Sequence, residues 1–250
     1  MAIAPTLVPA AQLPTGAAVR TLLWAGPQSN NIGASSTYVT PNTQTPHFAR
    51  WYEQKQGRPG IWERNGAMWG DQFSVQAVYQ GSEQQADIDL TAAGKKPIFG
   101  SIARSGTGID YFINGGPGQA QFQAWIAEAL SCMGSRVFDN VIMIGGENDA
   151  NSLATSLTFQ AGLTSFFAQN IRPVCPGSRA YIALLNVNYA GPDATWRTNV
   201  RNAQTAFVAA DGNAELLNCD AFGYVSPHYT FAGYNSIGSL IATRVLIYQP

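Results

Sequence analysis

The chain of 250 residues carries 14 Lys and Arg against 15 Asp and Glu, a formal net charge of -1. No Lys/Arg cluster interrupts that balance, which argues against a nucleic-acid footprint. Hydrophobic residues make up 46% but charged ones only 12%, about half the usual share of roughly 25%. Asn, Gln, Ser and Thr therefore supply the polar surface, a balance suited to neutral ligands such as sugars. No apolar run approaches membrane-spanning length, so no membrane partner is expected. The length suffices for a large core. With no internal repeat and no linker, residues 1–250 read as a single domain.

Residues 1–19 read as an extended lead-in. Met1–Pro14 lacks a basic n-region and is interrupted by Pro5, Pro9 and Pro14, so it does not read as a signal peptide. Two settings stay open: the cytoplasm, or a domain of a larger secreted or virion protein. Cys132, Cys175 and Cys219 are too widely spaced for a disulfide framework and form no CxxC, so buried free thiols are expected. With His47 and His228 as the two histidines and no HExxH, no zinc site is expected. The oligomeric state stays open.

The first element is an apolar run, Thr21–Ala25, which breaks at Gly26-Pro27 and is followed by Gln28-Ser29-Asn30. A buried strand ending in such a turn sets the next side chain at the carboxyl edge of a sheet, where open α/β folds bind ligands. Residues 32–70 read as an irregular insertion containing Trp51, Tyr52, Trp62 and Trp69, with a short helix near His47–Gln56. These aromatics either pack the segment onto the sheet or line a sugar cleft. Phe73–Tyr79 alternates as a strand does. A helix over Ser82–Ala93 is expected, with Ser82 as its N-cap and Gly94 as its stop.

Ile98–Ala103 reads as a central parallel strand that ends in Arg104-Ser105-Gly106-Thr107-Gly108. An amphipathic helix over Gln119–Met133 follows, with Phe122, Trp125, Ile126, Ala129, Leu130 and Met133 at helical spacing and Gly134 at its end. Val141–Ile144 is the third strand, and Gly145–Ala150 its exit. A helix over Ser152–Asn170, a strand over Ala180–Leu185, a helix over Thr195–Ala210 and a short strand at Leu216-Leu217 come next. An aromatic loop, Ala221–Tyr229, and a helix over Ala232–Ile247 close the chain. Short apolar runs alternating with helices predict a three-layer α/β/α sandwich around a central parallel sheet.

Three strand exits thus carry Ser29, Gly106 and Asn148, and the last loop offers His228. Acyl transfer needs such a set: a hydroxyl nucleophile, a base to take its proton, and fixed donors for the oxyanion. Glu147 and Asp149 flank Asn148, but residues on a turn point apart, which does not suit paired-acid glycoside hydrolysis. Asn148 has the alternative role of capping the next helix. Gly106 and Gly108 lack the pattern of a phosphate loop.

Gly26-Pro27-Gln28-Ser29-Asn30, Ser105-Gly106-Thr107-Gly108, Gly146-Glu147-Asn148-Asp149-Ala150 and His228-Tyr229-Thr230 with Gly233–Gly238 resemble, in order, the four blocks of the SGNH (GDSL-like) hydrolases. The likeness is strongest to the sialate O-acetylesterase and acetylxylan-esterase-like branch and spans about residues 20–247. It implies a flavodoxin-like sandwich that needs no cofactor and removes acyl groups from carbohydrates or simple esters. Ser29 would be the nucleophile and His228 the base. The oxyanion hole would comprise the N–H groups of Ser29 and Gly106 and the side-chain amide of Asn148.

Two departures stand out. A proline is inserted between the glycine and glutamine of the first block, and Val225 stands where the family places the triad aspartate. Either Asp220 replaces that acid or a Ser-His dyad operates. Three readings follow: an O-acetylesterase on an acetylated glycan, a carbohydrate-binding module that keeps the fold without catalysis, and a general short-chain carboxylesterase.

Overall fold

The structure is a computed structural model describing residues 6–8, 15–27, 50–55, 58–63, 81–104 and 106–248. Ser29, Ser105 and the expected strand Phe73–Tyr79 lie outside the described residues. Eight strands form one sheet in the order β1-β4-β3-β5-β2-β6-β7-β8. The strands are β1 (Thr6–Val8), β2 (Val19–Pro27), β3 (Arg50–Lys55), β4 (Arg58–Glu63), β5 (Lys96–Arg104), β6 (Asn140–Ile144), β7 (Arg179–Ala183) and β8 (Ala214–Leu217).

Strands β5, β2, β6, β7 and β8 are parallel neighbours, as the apolar runs predict. Their residues alternate between two apolar layers. Leu23 and Ala25 of β2 face one cluster, while Leu22 and Trp24 face the other. Helices α2 (Gln119–Cys132), α3 (Leu153–Phe166) and α4 (Ala194–Ala210) cover the first face through Phe122, Phe159 and Val200. Helices α1 (Ser82–Ala92) and α5 (Phe231–Ile247) cover the second through Leu90 and Ile241. Burial of both faces is why these strands read as continuous apolar runs.

Three expectations need correction. The helix near His47–Gln56 is not formed over 50–55. Instead β3 pairs antiparallel with β4, Lys55 opposite Arg58, and parallel with β5. The aromatic-rich sequence of 50–55 favours strand. Residues 32–70 are therefore not irregular throughout. The lead-in also contributes a strand, β1, antiparallel to β4.

The third correction concerns Ser82, which is the first helical residue of α1 and not its cap; Gly81 holds that position without a side-chain bond. The Ser82 hydroxyl accepts the buried Trp24 indole N–H at 3.0 Å. Trp24 fills the apolar layer, and its one polar atom needs a partner there. Gly94, at φ +73°, ends α1 as expected.

Helix α3 is capped by Ser152, whose hydroxyl accepts the Thr155 N–H at 3.1 Å, and runs into a π-helical turn over Phe167–Ile171. Cys132, Cys175 and Cys219 are free thiols, the last two buried. No described helix is long and apolar enough to cross a membrane.

Candidate functional site

The parallel strands turn back on themselves at β2: the chain moves outward to β5 on one side, then returns to place β6 on the other. Two connections leave such a switch point in opposite directions and open a crevice at the carboxyl ends of the strands. The exit of β2 is Gly26-Pro27, with Gly26 at φ +122°. Pro27 pairs with Arg104, the last residue of β5, so the two strands end level with each other. Ser29 lies two positions past Pro27, outside the described residues.

The exits of β5 and β6 meet across the end of β2. Asn148 Nδ2 donates to the Gly106 carbonyl at 3.0 Å, although β5 and β6 are not neighbours in the sheet. Asn148 makes no cap bond to the short 3-10 turn Asp149–Asn151 that follows it. Its amide carries two hydrogens. Binding one to Gly106 fixes the plane of the other. Gly106 itself sits at φ +72°, a left-handed turn that suits glycine.

Asp149 adds a second tie that the sequence did not reveal. Its Oδ1 accepts the buried Ile109 N–H at 3.0 Å. Asp149 is 1% exposed, and its Oδ2 is buried without a hydrogen-bond partner among the described residues. Burial pushes its carboxyl up to about 7; the Ile109 N–H opposes this and the nearby Asp110 charge adds to it. A Cβ at Gly108 would lie 2.9 Å from an oxygen of each aspartate, so the turn has room for glycine alone. Glu147 and Asp149 do diverge: Glu147 lies within the electrostatic reach of Tyr189, Tyr224, Tyr229 and Tyr234, whose hydroxyls are raised chiefly by burial, the last three well above the ordinary range.

The exit of β6 is fastened from below. Gln204, buried on α4, donates to the carbonyls of Gly145 (2.9 Å) and Ala183 (3.1 Å) and accepts the Leu185 N–H (2.8 Å). Gly146, at φ +120°, lies under Val200 so closely that a Cβ there would come within 2.7 Å of it.

His228 is half-buried in a two-strand hairpin, β9 (Tyr224–Val225) and β10 (His228–Tyr229), where it pairs with Val225 across a cis Ser226-Pro227 bond. Burial holds its imidazole below the usual 6.5. Tyr229 packs edge-on against Tyr224 and Tyr234, which fixes the hairpin on the core. Ser226 Oγ accepts the Ala190 N–H (3.1 Å), and the Tyr189 hydroxyl donates to Asn151 Oδ1 (2.6 Å). Through these loops the hairpin is tied to the segment that carries Asn148.

Asp220 is engaged elsewhere. Its two oxygens accept from Arg201 at 2.8 Å each, and Oδ1 also accepts the Val187 N–H at 2.8 Å. Val225, at the family's acid position, is 56% exposed. Among the described residues no three His, Cys, Asp or Glu side chains gather as metal ligands.

No protein-family model matches the chain, and no curated protein matches it by sequence. Solved structures do. A protein from Arabidopsis thaliana superposes with a TM-score of 0.72 at 14% identity, over 91% of this chain and 98% of that one. The chain shares the three-layer α/β/α fold of that structure. A carbohydrate acetylesterase from Xanthomonas citri shares this fold, with a TM-score of 0.63 at 14% identity over 89% of this chain. This chain spans 54% of that enzyme's length. NanS shares it too, with a TM-score of 0.58 at 13% identity over 92% of this chain and 97% of that one. Within this fold, the meeting of Gly106 and Asn148 falls at the sheet's switch point.

Proposed function

We propose that the protein is a serine esterase that removes O-acetyl groups from a carbohydrate through an acyl-serine intermediate. The observation that carries this reading is the Asn148–Gly106 hydrogen bond of 3.0 Å, which sets an amide donor and a glycine turn together over the exit of β2. Esterases stand among the proteins that share the fold, the carbohydrate acetylesterase from Xanthomonas citri among them. The low charge of the chain suits a neutral acetylated sugar as the reacting unit.

In this reading His228 takes the proton of the Ser29 hydroxyl as its oxygen attacks the acetyl carbonyl. The oxyanion is held by the N–H groups of Ser29 and Gly106 and by the Asn148 amide. Collapse expels the sugar alkoxide, which takes the proton from His228 and leaves acetyl-Ser29. His228 then deprotonates water, which attacks the acetyl group; acetate leaves and Ser29 regains its proton. The ties of Asp220 to Arg201 and Val187 favour a Ser29-His228 dyad over a triad completed by Asp220. A buried imidazole stays neutral at pH 7, as a base must.

Hydrolysis of p-nitrophenyl acetate by the parent and by Ser29→Ala, side by side at neutral pH, tests the mechanism. Turnover in the parent that drops to the buffer rate in the variant is expected. Equal rates in both would remove Ser29 as nucleophile. The exposed Val225 favours a second reading, a carbohydrate-binding module without catalysis, whose mark is sugar affinity with no ester turnover in the parent.

A further inference from the structure

Beside the Gly106 turn lies a shallow cleft of about 70 Å³, open to the surface, that the proposed acyl-transfer steps do not use. Arg104 at the end of β5, Tyr111 on the 3-10 turn Ile109–Phe112, and Gln121 and Trp125 on α2 line it. Gln121 and Trp125 are four residues apart, so they share one helix face. Phe122 lies beneath them in the core.

The Tyr111 ring is held in place. Its carbonyl accepts the Gly118 N–H at 2.9 Å, and the ring lies so close over Gly118 that a Cβ there would fall 1.9 Å from it. Phe112 packs edge-on against the same ring at 5.0 Å. Arg104 stacks its guanidinium over this ring, 5.1 Å from the centroid. Stacking occupies the face of a guanidinium and leaves its N–H edge available for a carboxylate.

Seven other arginines whose side chains are described are committed. Arg172, Arg179, Arg201 and Arg244 pair with carboxylates. Arg20, Arg136 and Arg197 donate to carbonyls. Arg172 and Arg179 also stack on rings, Phe167 and Tyr248, but both are ion-paired; among the arginines whose side chains are described, Arg104 is the one held by a ring without a carboxylate or carbonyl partner. A fixed cation on an aromatic platform, with a second aromatic and an amide opposite, has the chemistry of a site for a charged sugar ring.

We propose that this cleft is a subsite for a sugar unit bearing one carboxylate, of the hexuronate type, neighbouring the unit whose ester is cleaved. The proposal rests on the esterase reading for the word neighbouring, and on Arg104, Tyr111, Gln121 and Trp125 for the rest. The carboxylate meets the N–H edge of Arg104, the ring lies against Tyr111 and Trp125, and Gln121 bonds a hydroxyl. A single arginine, with the Asp110 carboxylate on the adjoining turn, favours a singly charged group over a phosphate dianion.

Ligand-observed NMR titration with methyl β-D-glucuronide and methyl β-D-glucoside, which differ only at C6, tests it. The parent is expected to bind the glucuronide about tenfold or more tightly than the glucoside, since hydrogen bonds to charged groups carry that much. Arg104→Gln is expected to erase the preference, and Arg104→Lys to restore part of it. Equal binding of the two sugars, binding of neither, or a preference that survives in Arg104→Gln would overturn the subsite. Ester turnover by the parent is read separately. Turnover without the sugar preference sinks the subsite alone, whereas the preference without turnover sinks the esterase reading and leaves the subsite standing.

Discussion

Asn148 and Gly106 stand on exits that flank β2 from opposite sides, yet the amide of one bonds the carbonyl of the other at 3.0 Å. The contact closes the end of the strand from which Gly26-Pro27 emerges. With one amide hydrogen committed, the other has a fixed direction. Asn148→Ala is expected to lower kcat for p-nitrophenyl acetate by roughly 10²–10³ with a much smaller change in KM, the cost of one oxyanion donor. A change in KM alone would move Asn148 from the oxyanion to ground-state binding.

The Asp149 carboxyl supports the same turn and leaves a mark on stability. Its pKa in the fold is about 7 against an ordinary 3.8, so the folded chain holds a proton that the unfolded chain releases. Stability from this group is therefore full below about pH 4, falls as pH rises from about 4 to 7, and levels off above. Asp149→Asn keeps an oxygen for the Ile109 N–H and cannot ionise. Relative to the parent, its melting temperature is expected to rise by a few °C between pH 5 and pH 8, at roughly 2–4 °C per kcal/mol for a chain of this size. A pH-independent difference would show that Asp149 does not titrate between the two. Asp149→Ala strands the Ile109 N–H and is expected to cost about 1–3 kcal/mol in denaturant unfolding.

His228 bears on the rate and not only on the fold. Burial lowers its pKa, so the neutral base persists below pH 6.5. The acidic limb of kcat/KM for p-nitrophenyl acetate is expected to have its midpoint below 6.5. A midpoint above that value would reveal a carboxylate partner on the imidazole and argue against the dyad.

Asp220 gives the complementary test. Held by Arg201 and the Val187 N–H, it is expected to act on the loop after β7 and not on the imidazole. Asp220→Ala is then expected to reduce kcat far less than the roughly 10⁴-fold that disabling a triad carboxylate costs. A loss of that size would make Asp220 the missing acid.

The parallel core was legible because burial on both faces writes a strand as an unbroken apolar run, as in Leu22–Ala25 and Val141–Ile144. Glycine marked the turns at Gly94, Gly106 and Gly134, each of which has positive φ. The hairpin of β3 and β4 was missed because its mixture of aromatic, charged and polar residues shows neither period cleanly. Ser82 looked like a cap because sequence cannot show that the Trp24 indole lies across the layer from it. Asp149, Gln204 and the stacked Arg104 depend on partners 40, 59 and 7 positions away, and spacing along the chain carries no signal for such pairs.

The grip of α4 on the β6 exit has a consequence for how such a chain changes over generations. Gln204 and Val200 reach Gly145 and Gly146 from beneath, so the two segments form one lock with no solvent-facing part. A bulkier residue at 146 meets Val200 and also strains the backbone at φ +120°, and a change at 204 strands three backbone groups at once. The outer loops are joined by separate bonds, such as Ala190 N–H to Ser226 Oγ and Tyr189 to Asn151, so a substitution there strands one group at a time. Change at the surface is thus met piecemeal, whereas change beneath the β6 exit is met all at once.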